Sequence, residues 1–196
     1  SEKRKTLIGL VEKISREIFI PFSVGGGIGD VEGIRKLLRA GADKVSVNTA
    51  AVDNPQLIKE ASERFGRQCI VVAIDAKRIG GRWVVFTESG KKNTKMDALQ
   101  WAKKAEMLGA GEILLTSIDR DGMKGGYDLA LVRKVSKKVG VPVIASGGAG
   151  SLGDIAEVLL EGKADAALAA SIYHYNKFTI RETKEFLRKN KVEVRL

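Results

Sequence analysis

Two stretches of this 196-residue chain are copies of one another, and the spacing of the copies restricts the fold more than any other property of the sequence. Pro21-Phe22-Ser23-Val24-Gly25-Gly26-Gly27-Ile28-Gly29 matches Pro142-Val143-Ile144-Ala145-Ser146-Gly147-Gly148-Ala149-Gly150 at an offset of 121. The match runs on through a helical pattern, Ile34 to Asp43 against Ile155 to Asp165. With one inserted residue it then pairs Asn48-Thr49 with Ala170-Ser171 at an offset of 122. Short apolar runs suited to buried strands occur at Phe19 to Val24, Lys44 to Asn48, Cys69 to Asp75, Glu112 to Ser117, Val141 to Ala145 and Ala166 to Ala170. Between them, Val31 to Arg39, Pro55 to Phe65, Met96 to Leu108, Leu129 to Val139 and Leu152 to Glu161 carry apolar residues at helical spacing. Strand then helix, repeated, builds a parallel sheet with its strands buried on both faces.

A repeat of about 120 residues, four strand-helix units long, implies eight units and a closed (β/α)8 TIM barrel of about 240 to 250 residues made from two half-barrels. Six strands are visible, so the expectation is one barrel domain, residues 1–196, carrying the third to eighth strands, with the N-terminal strand-helix-strand segment absent. Local signals agree with this grammar. Asp30 is a candidate cap for the helix holding Ile34, Leu37 and Leu38, with Gly41 at its end, and Gly109 and Gly140 recur in the same role. After the run ending at Asp75, Arg78-Ile79-Gly80-Gly81-Arg82 leads into Trp83-Val84-Val85-Phe86-Thr87, a hairpin signal in a strand-to-helix loop.

Charge narrows the partners. The net charge is +10, yet the 34 Lys and Arg are interleaved with 24 Asp and Glu, and aromatics make up 6%. A nucleic-acid platform needs basic blocks mixed with stacking rings, so an anionic small molecule or an acidic partner surface fits better. No apolar run approaches the roughly 20 residues of a membrane span, and the start, Ser1-Glu2-Lys3-Arg4-Lys5, runs straight into a helical pattern without the apolar core of a signal peptide. A soluble, cytoplasmic protein is expected, with no membrane partner. Cys69 reads as a small buried hydrophobe and no metal-ligand cluster stands out, so no metal or cofactor is expected. A charged fraction of 30% with one Cys and three Pro is similar to that of heat-tolerant, thermophilic proteins.

In a parallel barrel, chemistry sits at the C-terminal ends of the strands. The first copy ends in Gly25-Gly26-Gly27 and the second in Ser146-Gly147-Gly148. Glycine there lets backbone N–H groups approach an anion, and a following helix N-terminus adds positive potential. Asn48-Thr49 and Ala170-Ser171 each open a helix with a hydroxyl. Two cradles in register predict a ligand with two phosphate groups. No Gly-x-x-x-x-Gly-Lys-Ser pattern occurs, so triphosphate binding by a P-loop has no support.

Asp75 ends the buried run Val71-Val72-Ala73-Ile74-Asp75, where a carboxylate is costly unless used or paired. Lys77 is its alternative partner. Asp121, in Ser117-Ile118-Asp119-Arg120-Asp121-Gly122, is a second candidate acid, with Asp119 and Arg120 free to pair with each other. His174 has no carboxylate or hydroxyl nearby in sequence to form a triad, and reads as a surface or packing residue at the start of the last helix.

Val24-Gly25-Gly26-Gly27-Ile28, Ala42 to Ala50 (Ala-Asp-Lys-Val-Ser-Val-Asn-Thr-Ala), Ala73-Ile74-Asp75-Ala76-Lys77-Arg78, Leu115 to Gly122 and Ala145 to Gly150 together resemble the HisF family, the cyclase subunits of imidazole glycerol phosphate synthase. The resemblance covers essentially the whole chain. It implies that ammonia reacts with a ribulosyl-linked aminoimidazole carboxamide bisphosphate to give imidazole glycerol phosphate and aminoimidazole carboxamide ribotide, by attack at the keto carbon, cyclisation and C–N cleavage. It assigns general acid and base work to two aspartates, one matched by Asp75 and the other on the first strand. It implies that Asp121 assists catalysis by positioning substrate. One phosphate is expected at Gly26, Gly27, Asn48 and Thr49, and the other at Gly122, Ser146, Gly147, Gly148, Ala170 and Ser171. The family takes ammonia from a glutaminase subunit, HisH, docked on the opposite face of the barrel, where Lys44 and Glu112 match positions at the ammonia entrance. Ordinary bottom-of-barrel ion pairing is the alternative for those two. The sister isomerase HisA shares the half-barrel repeat but not Ala73 to Arg78. A truncated barrel that only binds phosphate is a third reading, and the bare chain is expected to be nearly inactive.

Overall fold

The computed structural model describes residues 2–195, so Ser1 of the charged start lies outside the described residues. The chain forms two compact units. The first comprises residues up to Ala73 together with Lys104–Glu112, and the second comprises Ile74–Lys103 and residues from Ile113 onward.

In the first unit the order is α1 (Glu2–Glu17), β1 (Ser23–Gly25), α2 (Val31–Arg39), β2 (Lys44–Val47), α3 (Thr49–Asp53), α4 (Gln56–Phe65), a 3-10 turn at Arg67–Cys69, and the start of β3 (Ile70–Ile79). β1 pairs with β2, and β2 with β3, all parallel, with Gly25 opposite Ser46 and Val47 opposite Val72. Parallel neighbours need a crossover, and α2 supplies it by laying Ile34 and Leu37 onto the sheet. Val45, Val47, Ile58, Ile70 and Val72 are at most 2% exposed, which at about 1.5 to 3 kcal/mol per fully buried large side chain makes this layer the unit's main source of stability. α2 begins where Asp30 accepts from Gly33 N at 2.6 Å. It stops before Gly41, whose φ of +106° and close approach to Ser15 Cβ leave no room for a side chain.

The second unit holds the rest of β3, then β4 (Arg82–Thr87), β5 (Lys92–Asp97), the start of α5 (Ala98–Met107), most of β6 (Glu112–Ser117), α6 (Leu129–Lys138), β7 (Val143–Ser146), α7 (Leu152–Leu160), β8 (Ala166–Ala167), α8 (Ser171–His174) and α9 (Ile180–Lys189). β6 pairs with β7 and β7 with β8, both parallel, while β4 runs antiparallel to β3. The hairpin turns on Gly80 and Gly81, which both have positive φ (+55° and +83°), the requirement of a two-residue type I′ turn.

Several sequence expectations shift here. The run from Phe19 pairs only at Ser23–Gly25, because Phe19 and Ile20 are 98% and 69% exposed rather than packed into the sheet. The last strand ends at Ala167 instead of Ala170, although Leu168 N still donates to Ala145 O at 2.8 Å. The helix expected from Met96 begins at Ala98, because Lys92–Asp97 forms a third antiparallel strand on β4. Its sequence, Lys-Asn-Thr-Lys-Met-Asp, is poor in strand formers, and pairing with β4, together with a Thr94 Oγ1 bond to Val85 O at 2.7 Å, holds it. Cys69 is half-buried in the 3-10 turn, its thiol 3.5 Å from Phe65 O, not inside the strand. His174 ends α8, exposed, with its ring edge-on to Tyr175 at 5.2 Å.

The internal repeat is carried by hydrogen bonds as well as by letters. In the first unit Phe22 N donates to Asp43 Oδ2 at 2.9 Å, and in the second Val143 N donates to Asp165 Oδ2 at 2.8 Å. Each aspartate thus clamps the start of the preceding strand to its neighbour's. The two glycine loops match too, with positive φ at Gly26 and Gly27 and again at Gly147 and Gly148.

Candidate phosphate cradles and acidic residues

The cradle of the first unit forms where β1 and β2 end side by side. A Cβ on Gly25 would lie 3.1 Å from Ser46 Cβ, so only glycine lets the two strand ends approach this closely without displacing Ser46. Gly26 and Gly27 follow with φ of +98° and +68°, and nothing stands within 4 Å of where their side chains would be. The side of each residue where a side chain would stand is therefore open. One strand over, Asn48 precedes α3, its carbonyl accepting from Ala51 N and Val52 N. Thr49 is therefore the first residue of a helical turn.

The second unit repeats the plan with more crowding. Thr116 lies opposite Ser146 in the β6–β7 register. A Cβ on Gly147 would be 2.8 Å from Ser117 O and 3.4 Å from Asp121 Cα, and one on Gly148 would be 2.2 Å from Gly126 O. These two glycines are required because the loop after β6 leans directly on them. Ala170 precedes α8 as Asn48 precedes α3, with its carbonyl accepting from Tyr173 N and His174 N. Ser171 opens the turn.

The helix starts beside the glycine loops differ in their caps. The N-termini of the two long helices after the glycine loops are already capped by carboxylates of the chain. Asp30 takes Gly33 N, and Asp154 takes Gly150 N and Ser151 N, both at 2.8 Å, while Ser151 Oγ accepts from Asp154 N. The short turns at Thr49 and Ser171 differ, since neither of their caps makes a side-chain cap bond. Side-chain caps thus occupy the starts of α2 and α7, and the starts of α3 and α8 have none.

Asp75 lies on the half-buried face of β3, between buried Ile74 and Ala76 and opposite Phe86 in the hairpin register. Ile118 N donates to Ala76 O at 2.9 Å, fixing the end of β6 beside it. Asp121 is exposed in the loop after β6, its N–H bonded to Ser117 O, and Gly122 follows with φ of +74°. Asp119 and Arg120 do not pair: Asp119 accepts from Arg78 N at 2.7 Å, and Arg120 reaches Gly125 O. Asp75, Asp121, Gly122, Ser146, Gly147, Gly148, Ala170 and Ser171 all belong to the second unit, and Gly26, Gly27, Asn48 and Thr49 to the first.

Lys44 and Glu112, both in the first unit, form an ion pair, with side chains 31% and 18% exposed. Lys44 starts β2, so the pair stands at the strand end remote from Asn48. A cavity of 460 Å³ beside β8, lined in part by Ile155, Leu187 and Val192, involves none of these residues. Among the described residues no helix is long and apolar enough to cross a membrane, and no three His, Cys, Asp or Glu gather as a metal site would require.

Sequence reasoning missed Tyr127 and Asp128. Tyr127 OH donates to Leu168 O at 2.9 Å, and Asp128 Oδ2 accepts from Trp83 Nε1 at the same distance. The available signal was weak: an aspartate just before a helical run reads as a cap, and nothing marks its long-range partner.

Paired glycine loops and helical first turns at the C-terminal ends of parallel strands define an α/β protein of the parallel-sheet class. Comparison with known proteins is specific within that class. The profile of the family described as "Histidine biosynthesis protein" matches residues 1–179. The imidazole glycerol phosphate synthase subunits HisF of Dehalococcoides mccartyi strains BAV1 and CBDB1 are each 59% identical over all 196 residues, and that of strain 195 is 58% identical. In each case the match covers 100% of this chain and 78% of the relative. The chain belongs to this histidine biosynthesis family.

Proposed function

We propose that the protein is the cyclase subunit of imidazole glycerol phosphate synthase, acting in the cytoplasm. It combines ammonia with a ribulosyl-linked aminoimidazole carboxamide bisphosphate to form imidazole glycerol phosphate and aminoimidazole carboxamide ribotide. The observation that carries this reading is 59% identity to HisF along the entire chain. The duplicated glycine loops support it independently. In this reading the protein is a (β/α)8 barrel of two half-barrel repeats, whose third to eighth strands correspond to β1, β2, β3, β6, β7 and β8.

Gly26, Gly27, Asn48 and Thr49 take one phosphate, and Gly122, Ser146, Gly147, Gly148, Ala170 and Ser171 take the other. Ammonia attacks the keto carbon. Asp75 exchanges protons with the reacting centre during addition and cyclisation, which its half-buried place at a strand end suits, and Asp121 helps hold the substrate between phosphates. No cofactor is required by this sequence of steps. HisH supplies ammonia at the opposite strand ends, and the half-buried Lys44–Glu112 pair guards its passage.

The test is turnover of the bisphosphate by the full-length protein with ammonium salts. Asp75→Asn lowers turnover about 10²- to 10⁴-fold while the bisphosphate still binds. Unchanged turnover in that variant refutes the assignment of Asp75. Isomerisation of the precursor with no response to ammonia assigns the HisA reaction instead.

A further inference from the structure

The loop between β6 and α6 is the point where the second unit's site is tied together. Asp119 holds Arg78 N, Gly126 N donates to Gly148 O at 2.9 Å, and the next residue, Tyr127, reaches Leu168 O at 2.9 Å. Leu168 needs such a tie. β8 is only Ala166–Ala167, and beyond it the chain turns within three residues into α8. Leu168 N is fixed to Ala145 O at 2.8 Å, so its carbonyl is the group left to orient the turn into α8. Tyr127 is 4% exposed, and burial, followed by nearby Tyr173 and Asp154, pushes its phenol well above the ordinary value of 10.0, so the hydroxyl stays a donor at any working pH.

We propose that Tyr127 is a positioning residue of the second phosphate cradle. Its hydroxyl fixes the Leu168 carbonyl, and with it the direction in which the Ala170–Ser171 turn presents its N–H groups, while the adjacent Gly126–Gly148 bond fixes the facing loop. One residue pair, Gly126 and Tyr127, thereby sets the spacing between both walls of the cradle. The proposal rests on the reading of Gly148 and Ser171 as phosphate ligands.

The experiment is a titration of the protein with inorganic phosphate, followed by amide NMR shifts at Gly27 and Thr49 for the first cradle and at Gly148 and Ser171 for the second. Tyr127→Phe keeps the buried ring and removes only the hydroxyl. It weakens phosphate at Gly148 and Ser171 about 3- to 10-fold, the range of one net hydrogen bond, and leaves the first cradle's curve unchanged. A merely structural role predicts equal weakening of both cradles, and that result, or a wild-type curve for Tyr127→Phe, overturns the proposal while leaving the phosphate reading intact. Ser171→Asp tests the reading itself by placing a negative charge at the turn. If the Gly148 curve ignores that change, or if Gly148 and Ser171 never respond to phosphate, the reading falls and the proposal with it.

Discussion

The indole N–H of Trp83 donates to Oδ2 of Asp128 at 2.9 Å, joining the hairpin that continues β3 to the first turn of α6. The same carboxylate caps α6, its Oδ1 accepting from Leu131 N at 3.0 Å. The Trp83 ring also lies near two cations, with Arg78 at 5.4 Å and Lys134 at 5.0 Å from its centroid. One aspartate therefore serves a helix terminus and a buried indole together. Asp128→Ala is expected to cost about 2 to 4 kcal/mol, a lost cap plus a charge-assisted bond, and Asp128→Asn about half of that or more, because its one carbonyl oxygen cannot accept from both Leu131 N and Trp83 Nε1. Urea denaturation followed by tryptophan fluorescence measures both. A loss within about 0.5 kcal/mol for the alanine variant means the hairpin is held elsewhere.

The two glycine loops share a backbone shape but not a neighbourhood, and substitution separates the two effects. At Gly27 a methyl meets nothing within 4 Å, so Gly27→Ala costs only the positive φ of +68°, about 1 to 2 kcal/mol. At Gly148 the methyl lies 2.2 Å from Gly126 O in addition to a φ of +112°. Gly148→Ala is expected to lose a further 1 to 3 kcal/mol or so through overpacking. Thermal unfolding compares them, and equal losses contradict the crowding drawn here.

What the sequence made legible was whatever repeats or alternates. The matched loops announced two glycine turns of like backbone shape, the Gly80–Gly81 pair announced the hairpin, and the helices from Val31, Leu129 and Leu152 began where their apolar periodicity did. β5 escaped because a run of five polar residues and one methionine is a strand only through pairing with β4. The capping of α7 by Asp154 was hidden for another reason: a carboxylate three residues into a helix looks like surface charge until its bonds to Gly150 N and Ser151 N are seen. Tyr127 and Leu168 are 41 residues apart, and no local pattern joins a tyrosine hydroxyl to a distant carbonyl.

α9 carries a pH signature. Its capping box pairs Thr179 and Glu182, with the carboxylate accepting from Thr179 N at 2.7 Å and Thr179 Oγ1 at 2.8 Å. The Thr179 backbone bond, then the hydroxyl bond, holds the Glu182 carboxyl below its ordinary value of 4.5. A depressed carboxyl stabilises the fold fully above the unfolded-state value and loses that contribution as pH falls through the folded-state one. Amide exchange at the start of α9 is expected to quicken on acidification through that range, and Glu182→Gln to show no such step. An identical acid response in both proteins assigns the fraying to other groups.

Asp121 separates catalysis from folding. Its side chain is exposed, and the loop around it is fixed by backbone bonds, Asp121 N to Ser117 O at 2.9 Å and Met123 N to Arg120 O at 3.0 Å, together with the Gly147 contact. None of these needs the carboxylate. Asp121→Ala should therefore shift stability by no more than about 0.5 kcal/mol, the usual range for a surface change. If Asp121 assists turnover as proposed, the same variant loses about 10²-fold or more in rate with ammonium salts and the bisphosphate. Both numbers come from one preparation, by denaturation and by steady-state kinetics. Intact stability with intact turnover removes Asp121 from the mechanism, whereas joint loss makes it a structural residue whose exposure was misleading.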